Sequence, residues 1–248
     1  MDLRGLLRRH ETAFWVPLVA LAGTVPYWTI NAFTKGRAAF SLDTWVDRAI
    51  PFTPQWEYVY AWFLLFAFLP LAVIRDPRLF RRVAFAYLSM YAIGSSTFLL
   101  FPTRIARTAV EGGGFLAWAI QFNHWLDGPN NCFPSMHVCG AVLAALCVLR
   151  TDPLVGAIAG TWALLIAVST LALKAHFLVD VVAALLLACA LWAVFVRGVD
   201  HQGPRRPRWV VAVLPLAFAV VVAVFNLAWR AGVQIPASGW DVPPGAGR

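Results

Sequence analysis

Apolar runs of about twenty residues alternate with short polar links along the whole chain, at 13–33, 57–74, 83–101, 134–149, 154–173, 177–196 and 209–228. An α-helix of that length, rising 1.5 Å per residue, matches the roughly 30 Å hydrocarbon core of a bilayer. Backbone groups in lipid must be satisfied within their own segment, which helices do. The two-residue alternation of lipid-facing barrel strands is absent. The pattern therefore predicts an all-α polytopic membrane bundle, with six core helices and a seventh span at 209–228. A long loop, 102–133, separates the third and fourth runs. Within it Phe115 to Phe122 is apolar but too short to span, which predicts an interfacial helix. The prolines of Ile50-Pro51-Phe52-Thr53-Pro54 end the 34–56 link before the second run.

Composition agrees. Of 248 residues, 60% are hydrophobic and 13% charged, against roughly half and a quarter in a soluble domain. The first run follows Arg4, Arg8 and Arg9, as in a secretory leader, but it is too long for one and further spans follow, so it reads as an uncleaved span. The net charge of +8 would suggest nucleic acid in a soluble protein. Here the bases sit in the links between apolar runs, so topology explains them and no nucleic-acid partner is expected. With the N-terminus in the cytoplasm, twelve of the 20 Lys and Arg residues fall in inside segments and eight in outside segments. That bias predicts a cytoplasmic segment at 1–12, a single transmembrane domain over 13–229 and a flexible Pro- and Gly-rich tail at 230–248. It also places the loop 102–133, the start of the fourth run, the end of the fifth and the start of the sixth on the outer face of an inner (plasma) membrane. Cys132, Cys139, Cys147 and Cys189 show no metal-ligand spacing. Cys139, Cys147 and Cys189 lie inside apolar runs and read as packing residues, Cys132 sits beside the first polar stretch with no obvious partner, and neither disulfide nor zinc is expected.

Two stretches at that outer face put ionisable groups at the mouths of apolar runs: Asn130 to His137, and Ser169 to Asp180. At i, i+4, His176 and Asp180 share one face of a helix. A carboxylate there fixes the imidazole tautomer and leaves the other nitrogen as nucleophile or base. A satisfied polar pair is the simpler alternative, but an Asp within a span is costly and usually marks function. Ser135 and His137 open the fourth span, with Pro134 suited to its first turn. Free N–H groups there suit a phosphate; Ser135 adds a hydroxyl and His137 a proton for a leaving oxygen. A plain helix-start role also explains Ser135. Arg104, Arg107 and Lys174 bring positive charge to the same level, which phosphoryl transfer needs to neutralise non-bridging oxygens; a headgroup anchor also explains Arg104. Two histidines, a carboxylate, a hydroxyl and two or three cations, with no metal or cofactor, describe phosphate-ester cleavage through a phospho-histidine. Asp43, Asp47 and Trp56 are candidates to line an acceptor pocket, though helix caps and interface anchors explain them as well.

Phe133-Pro134-Ser135-Met136-His137 with Ser169 through Asp180 resembles the type-2 phosphatidic acid phosphatase (lipid phosphate phosphatase) superfamily. Asp47 to Pro54, Phe101 to Arg107 and Leu173 to Phe177 look most like its inositol phosphorylceramide synthase branch. The resemblance covers roughly 40–195. It implies His176 as nucleophile, Asp180 as its orienter and His137 as general acid, with Ser135, Arg107 and Lys174 on the phosphate. The sequence departs from the family where Leu100 replaces a Lys, Thr108 follows Arg107 in place of Pro, and Thr170 follows Ser169 in place of Arg. Lys174 and Arg104 are the candidates to replace those cations. The expectation is a membrane lipid-phosphate phosphatase, or a phosphotransferase with a lipid or polyol acceptor. A non-enzymatic transporter or lipid-binding protein is the alternative.

Overall fold

The computed structural model describes residues 3–110, 112–200 and 209–236. Its elements are helical: α1 (Leu3–Thr34), α2 (Trp45–Ala49), a 3-10 turn (Pro54–Trp56), α3 (Glu57–Tyr60), α4 (Phe63–Phe66), α5 (Leu69–Val73), α6 (Pro77–Leu100), α7 (Phe115–Leu126), α8 (Met136–Leu149), α9 (Pro153–Ala172), α10 (Leu178–Phe195) and α11 (Trp209–Arg230). Two isolated bridges, Phe40 with Thr103 and Arg104 with Asn130, tie the loops at one end of the bundle.

The polytopic helical bundle expected from the sequence is present, but two of the seven expected spans are built differently. Among the described residues, five stretches are long and apolar enough to cross a membrane: Thr12–Thr34, Pro77–Leu100, Pro153–Ala172, Leu178–Phe195 and Val211–Arg230. The second expected span is wound in pieces, α3, α4 and α5. The backbone stays helical through the joins at Ala61 and Ala67, where i→i+3 bonds such as Trp62 N–H to Val59 O (3.2 Å) and Leu65 N–H to Trp62 O (3.0 Å) replace the α pattern. Pro70, in the first turn of α5, lacks an N–H for a continuous ladder.

The fourth expected span, α8, has only 14 residues. It is the central helix, packing on α9, α10, α6, α4 and α5. Val138, Cys139, Leu143, Ala144, Cys147 and Val148 are all fully buried, as befits a helix apolar on every side. Its small residues, Gly140, Ala141, Ala144 and Ala145, let neighbouring helices approach closely. At Gly156 on α9 an added Cβ would strike the backbone of Leu149 on α8.

Other boundaries moved for local reasons. α6 begins at Pro77 rather than 83, because Asp76 Oδ1 accepts from the N–H groups of Arg78 (2.8 Å) and Leu79 (3.4 Å). The basic link therefore forms the first turns of a helix. α7 extends the expected interfacial helix to Leu126 and packs on α11, with Trp118 Nε1 donating to Val233 O and Trp229 Nε1 to Gly113 O. α1 starts at Leu3, inside the segment assigned to 1–12. The 197–208 link is described only to residue 200, and the tail of 230–248 only to residue 236. All four cysteines are free, the first three buried and Cys189 exposed.

Candidate functional site

The polar residues gather where α6 ends and α8 and α10 begin. Short backbone links assemble the place. Phe40 N–H bonds Pro102 O (2.9 Å), Arg104 N–H bonds Phe40 O (3.0 Å) and Ile105 N–H bonds Pro129 O (3.0 Å). The buried Thr103 hydroxyl accepts from Phe133 N–H at 3.0 Å. Asn131 adopts a left-handed backbone (φ 59°), a conformation that asparagine tolerates better than most residues. Ser135 N–H then bonds Asp180 O at 3.2 Å, which fastens the start of α8 to the first turn of α10. The two stretches singled out in the sequence thus meet.

His176 lies just before α10, not on it. α9 ends at Ala172, Lys174 turns through φ 52°, and Thr170 O accepts from both Ala175 N–H (2.9 Å) and His176 N–H (3.2 Å). Asp180 is in the first turn of α10, where Oδ2 caps Phe177 N–H at 2.8 Å. The expected pair still forms: His176 Nδ1 is 3.4 Å from Asp180 Oδ2. It is also 3.0 Å from Cys132 O. A carbonyl and a carboxylate both accept, so Nδ1 carries the proton and Nε2 keeps its lone pair. His176 is 5% exposed and Asp180 fully buried.

His137 sits in the first turn of α8, with Nδ1 3.2 Å from His176 Nε2. Its Nε2 is 3.2 Å from the Tyr60 hydroxyl, and the edge of Phe63 packs on the ring. Tyr60 had no signal in the sequence as a site residue. It is the last residue of α3, before the wound joint at Ala61, and an aromatic residue in an apolar run reads as packing. Ser135 is the N-cap of α8 and Pro134 precedes it, so the proline is outside the first helical turn. The Ser135 hydroxyl accepts from Val138 N–H at 3.4 Å and is buried.

The three cations separate. Arg107 Nη2 donates to Asp127 O (3.0 Å), Asp127 Oδ2 (3.1 Å) and Gly128 O (2.9 Å). Its Nε is buried without a hydrogen-bond partner. Burial lowers the Arg107 pKa, while Cys132, Tyr60 and Glu57, all within electrostatic range, oppose the shift. Burial likewise pushes the Asp127 carboxyl up to about 7, although the guanidinium 3.1 Å away works against that. Arg104, by contrast, donates through Nε to Asn130 Oδ1 (2.7 Å) and through Nη2 to Arg37 O (3.3 Å). Lys174 Nζ donates to Asp47 O and Ile50 O. Charge and position at one membrane level grouped these three in the sequence; their partners divide them.

Of the acceptor-pocket candidates, Asp43 forms an exposed ion pair with Arg48. Asp47 is a cap twice over: Oδ2 takes Thr44 N–H (2.9 Å) and Oδ1 takes Leu178 N–H at the start of α10 (2.7 Å). Trp56 closes the 3-10 turn. The 47–54 loop is thereby tied beside the histidines.

No curated protein and no solved structure matches this chain. A sequence model of the PAP2 superfamily matches residues 31–194, a stretch that contains every residue of the site described above, and the chain belongs to that superfamily, whose members are phosphatases and phosphotransferases.

Proposed function

We propose that this protein cleaves lipid phosphate esters, without a metal, through a phospho-His176 intermediate at the outer face of the membrane. The observation that carries the reading is the His176 ring: Nδ1 is held by Cys132 O and Asp180, and Nε2 faces a second histidine at 3.2 Å. Attack by Nε2 on phosphorus leaves a positive ring, which Asp180 stabilises through Nδ1–H. Developing charge on the phosphoryl oxygens falls to the buried Arg107 and its unpaired Nε. His137 protonates the leaving oxygen. The two imidazoles now touch, so phosphorus enters only when the substrate parts them.

Transfer to a lipid or polyol acceptor, as in the inositol phosphorylceramide synthase branch, is a second reading. It is favoured by the tie between the 47–54 loop and the start of α10 through Asp47. A single assay separates these readings from each other and from a transporter. The protein, purified in detergent with chelator, is given phosphatidic acid or a polyprenyl diphosphate, with and without an alcohol acceptor. Phosphate release lost in His176→Ala and blocked by vanadate supports the phosphatase. Product formed only with the alcohol supports transfer. No turnover on a broad lipid-phosphate panel in either format removes both.

A further inference from the structure

The carbonyl of Cys132 can only accept a hydrogen bond, and this fixes the direction of a chain of protons. His176 Nδ1 must donate to it, at 3.0 Å, so a neutral, nucleophilic His176 has a bare Nε2. The 3.2 Å contact from that nitrogen to His137 Nδ1 must then be donated by His137. A neutral His137 that bears its proton on Nδ1 has a bare Nε2, and the Tyr60 hydroxyl, at 3.2 Å, donates to it. Tyr60 is held for this contact. It is 1% exposed, and its ring lies 5.2 Å from Phe63.

A neutral imidazole alone is a very weak acid. If it gives up Nδ1–H without taking a proton on Nε2, an imidazolate is left in a buried site. The structure supplies a proton at that nitrogen. We propose that Tyr60 is a positioning residue for proton delivery: its hydroxyl sets Nδ1 of His137 as the proton-bearing nitrogen and refills Nε2 as that proton leaves. This rests on the phosphatase reading above and adds the source of its proton. In the first step the lone pair of His176 Nε2 bonds phosphorus and the P–O bond to the alcohol breaks. The leaving oxygen takes the His137 Nδ1 proton, and His137 Nε2 takes the Tyr60 proton. The resulting phenolate is a weaker base than an imidazolate, since phenol is the stronger acid of the two. In the second step water attacks phosphorus and the N–P bond breaks. The water proton goes to His137 Nδ1, and the Nε2 proton returns to Tyr60.

The test uses the full chain in nanodiscs, as parent, Tyr60→Phe, and with 3-fluorotyrosine at position 60. Two esters are compared. Phosphatidic acid has an alkyl leaving group that needs a proton, and 4-nitrophenyl phosphate has one that does not. Tyr60→Phe is expected to lower kcat on phosphatidic acid roughly 100-fold, within the usual range for a general acid, and to change the aryl ester by less than about 3-fold. The fluorotyrosine, still an acid, restores the lipid reaction. Equal losses on both esters, or no loss on either, overturn the proposal. Spectra of 15N-histidine-labelled protein decide the tautomer without turnover. A proton on His137 Nδ1 that redistributes in Tyr60→Phe supports it; a proton on Nε2 in the parent overturns it. A parent that hydrolyses neither ester, while its spectra show the Nδ1 tautomer, counts against the phosphatase reading and leaves Tyr60 assigned as the tautomer-setting residue.

Discussion

The two walls of the site are built on opposite plans. In the turn between α9 and α10 the donors have partners in the fold, His176 on Cys132 O and Lys174 on the carbonyls of Asp47 and Ile50, while Asp180 takes Phe177 N–H on Oδ2 and only its acceptor Oδ1 is left without a partner. In the facing loop, Arg107 is anchored through Nη2 alone and keeps a buried Nε without a partner. Saturation fixes geometry, which a nucleophile requires. An unsatisfied buried donor costs free energy, about 1–3 kcal/mol, and such a cost is recovered when an anion binds. In the proposed mechanism one wall aims the nucleophile and the other grips the phosphate.

Four substitutions break or sharpen that contrast, beyond the Tyr60 test. The largest effect is expected for His176→Ala, which removes the proposed attacking atom. Lipid-phosphate turnover should fall by at least about 1,000-fold, and trapping of a phosphorylated enzyme after a quench should fail. Residual phospho-enzyme in this variant would move the nucleophile elsewhere. Next is Arg107→Gln, expected to lower kcat/KM by roughly 100-fold or more through lost charge on the transferring group. The same substitution should weaken inhibition by vanadate in parallel. A loss of thermal stability with unchanged vanadate affinity would make Arg107 a strut for the 127–128 loop and erase the contrast.

Lys174→Met tests the saturated wall. It leaves two carbonyls without their charged donor, for a cost of about 1–3 kcal/mol. It should lower the melting temperature in detergent while changing vanadate affinity by less than about 3-fold. A large loss of vanadate binding would return Lys174 to the phosphate. The smallest effect is expected for Arg104→Gln, whose partners are Asn130 and a backbone carbonyl. Activity should change by about 2-fold or less, in the range of a partly exposed polar contact.

Much of this was legible in sequence because membranes restrict the alternatives. Apolar runs of span length, with Asp180 inside one and His137 and Ser135 opening another, forced both a helical bundle and a question about function. The helix boundaries were less legible. Asp76 and Pro77 start α6 six residues before the apolar run, since a cap acts through backbone N–H groups that hydropathy does not register. The cut of 57–74 into three helices follows from Pro70 and from i→i+3 winding, neither of which alters apolar content. The even spacing of His176 and Asp180 suggested a shared helical face, yet the pair meets across a turn because Thr170 O and the left-handed Lys174 end α9 first.

By itself the sequence determined the class of fold, the family, and the residue types present at one end of the bundle, because burial in lipid and the rarity of ionisable groups there leave few readings. Only the tertiary structure decided what each of those groups is bonded to. Three cations of equal charge became one buried guanidinium with an unpaired Nε and two groups held by backbone carbonyls or an asparagine. A tyrosine indistinguishable from packing in the sequence became the partner of His137. The physical reason is the same in both cases. Charge and hydropathy belong to a residue, whereas a hydrogen bond belongs to a pair, and Tyr60 and His137 are 77 positions apart.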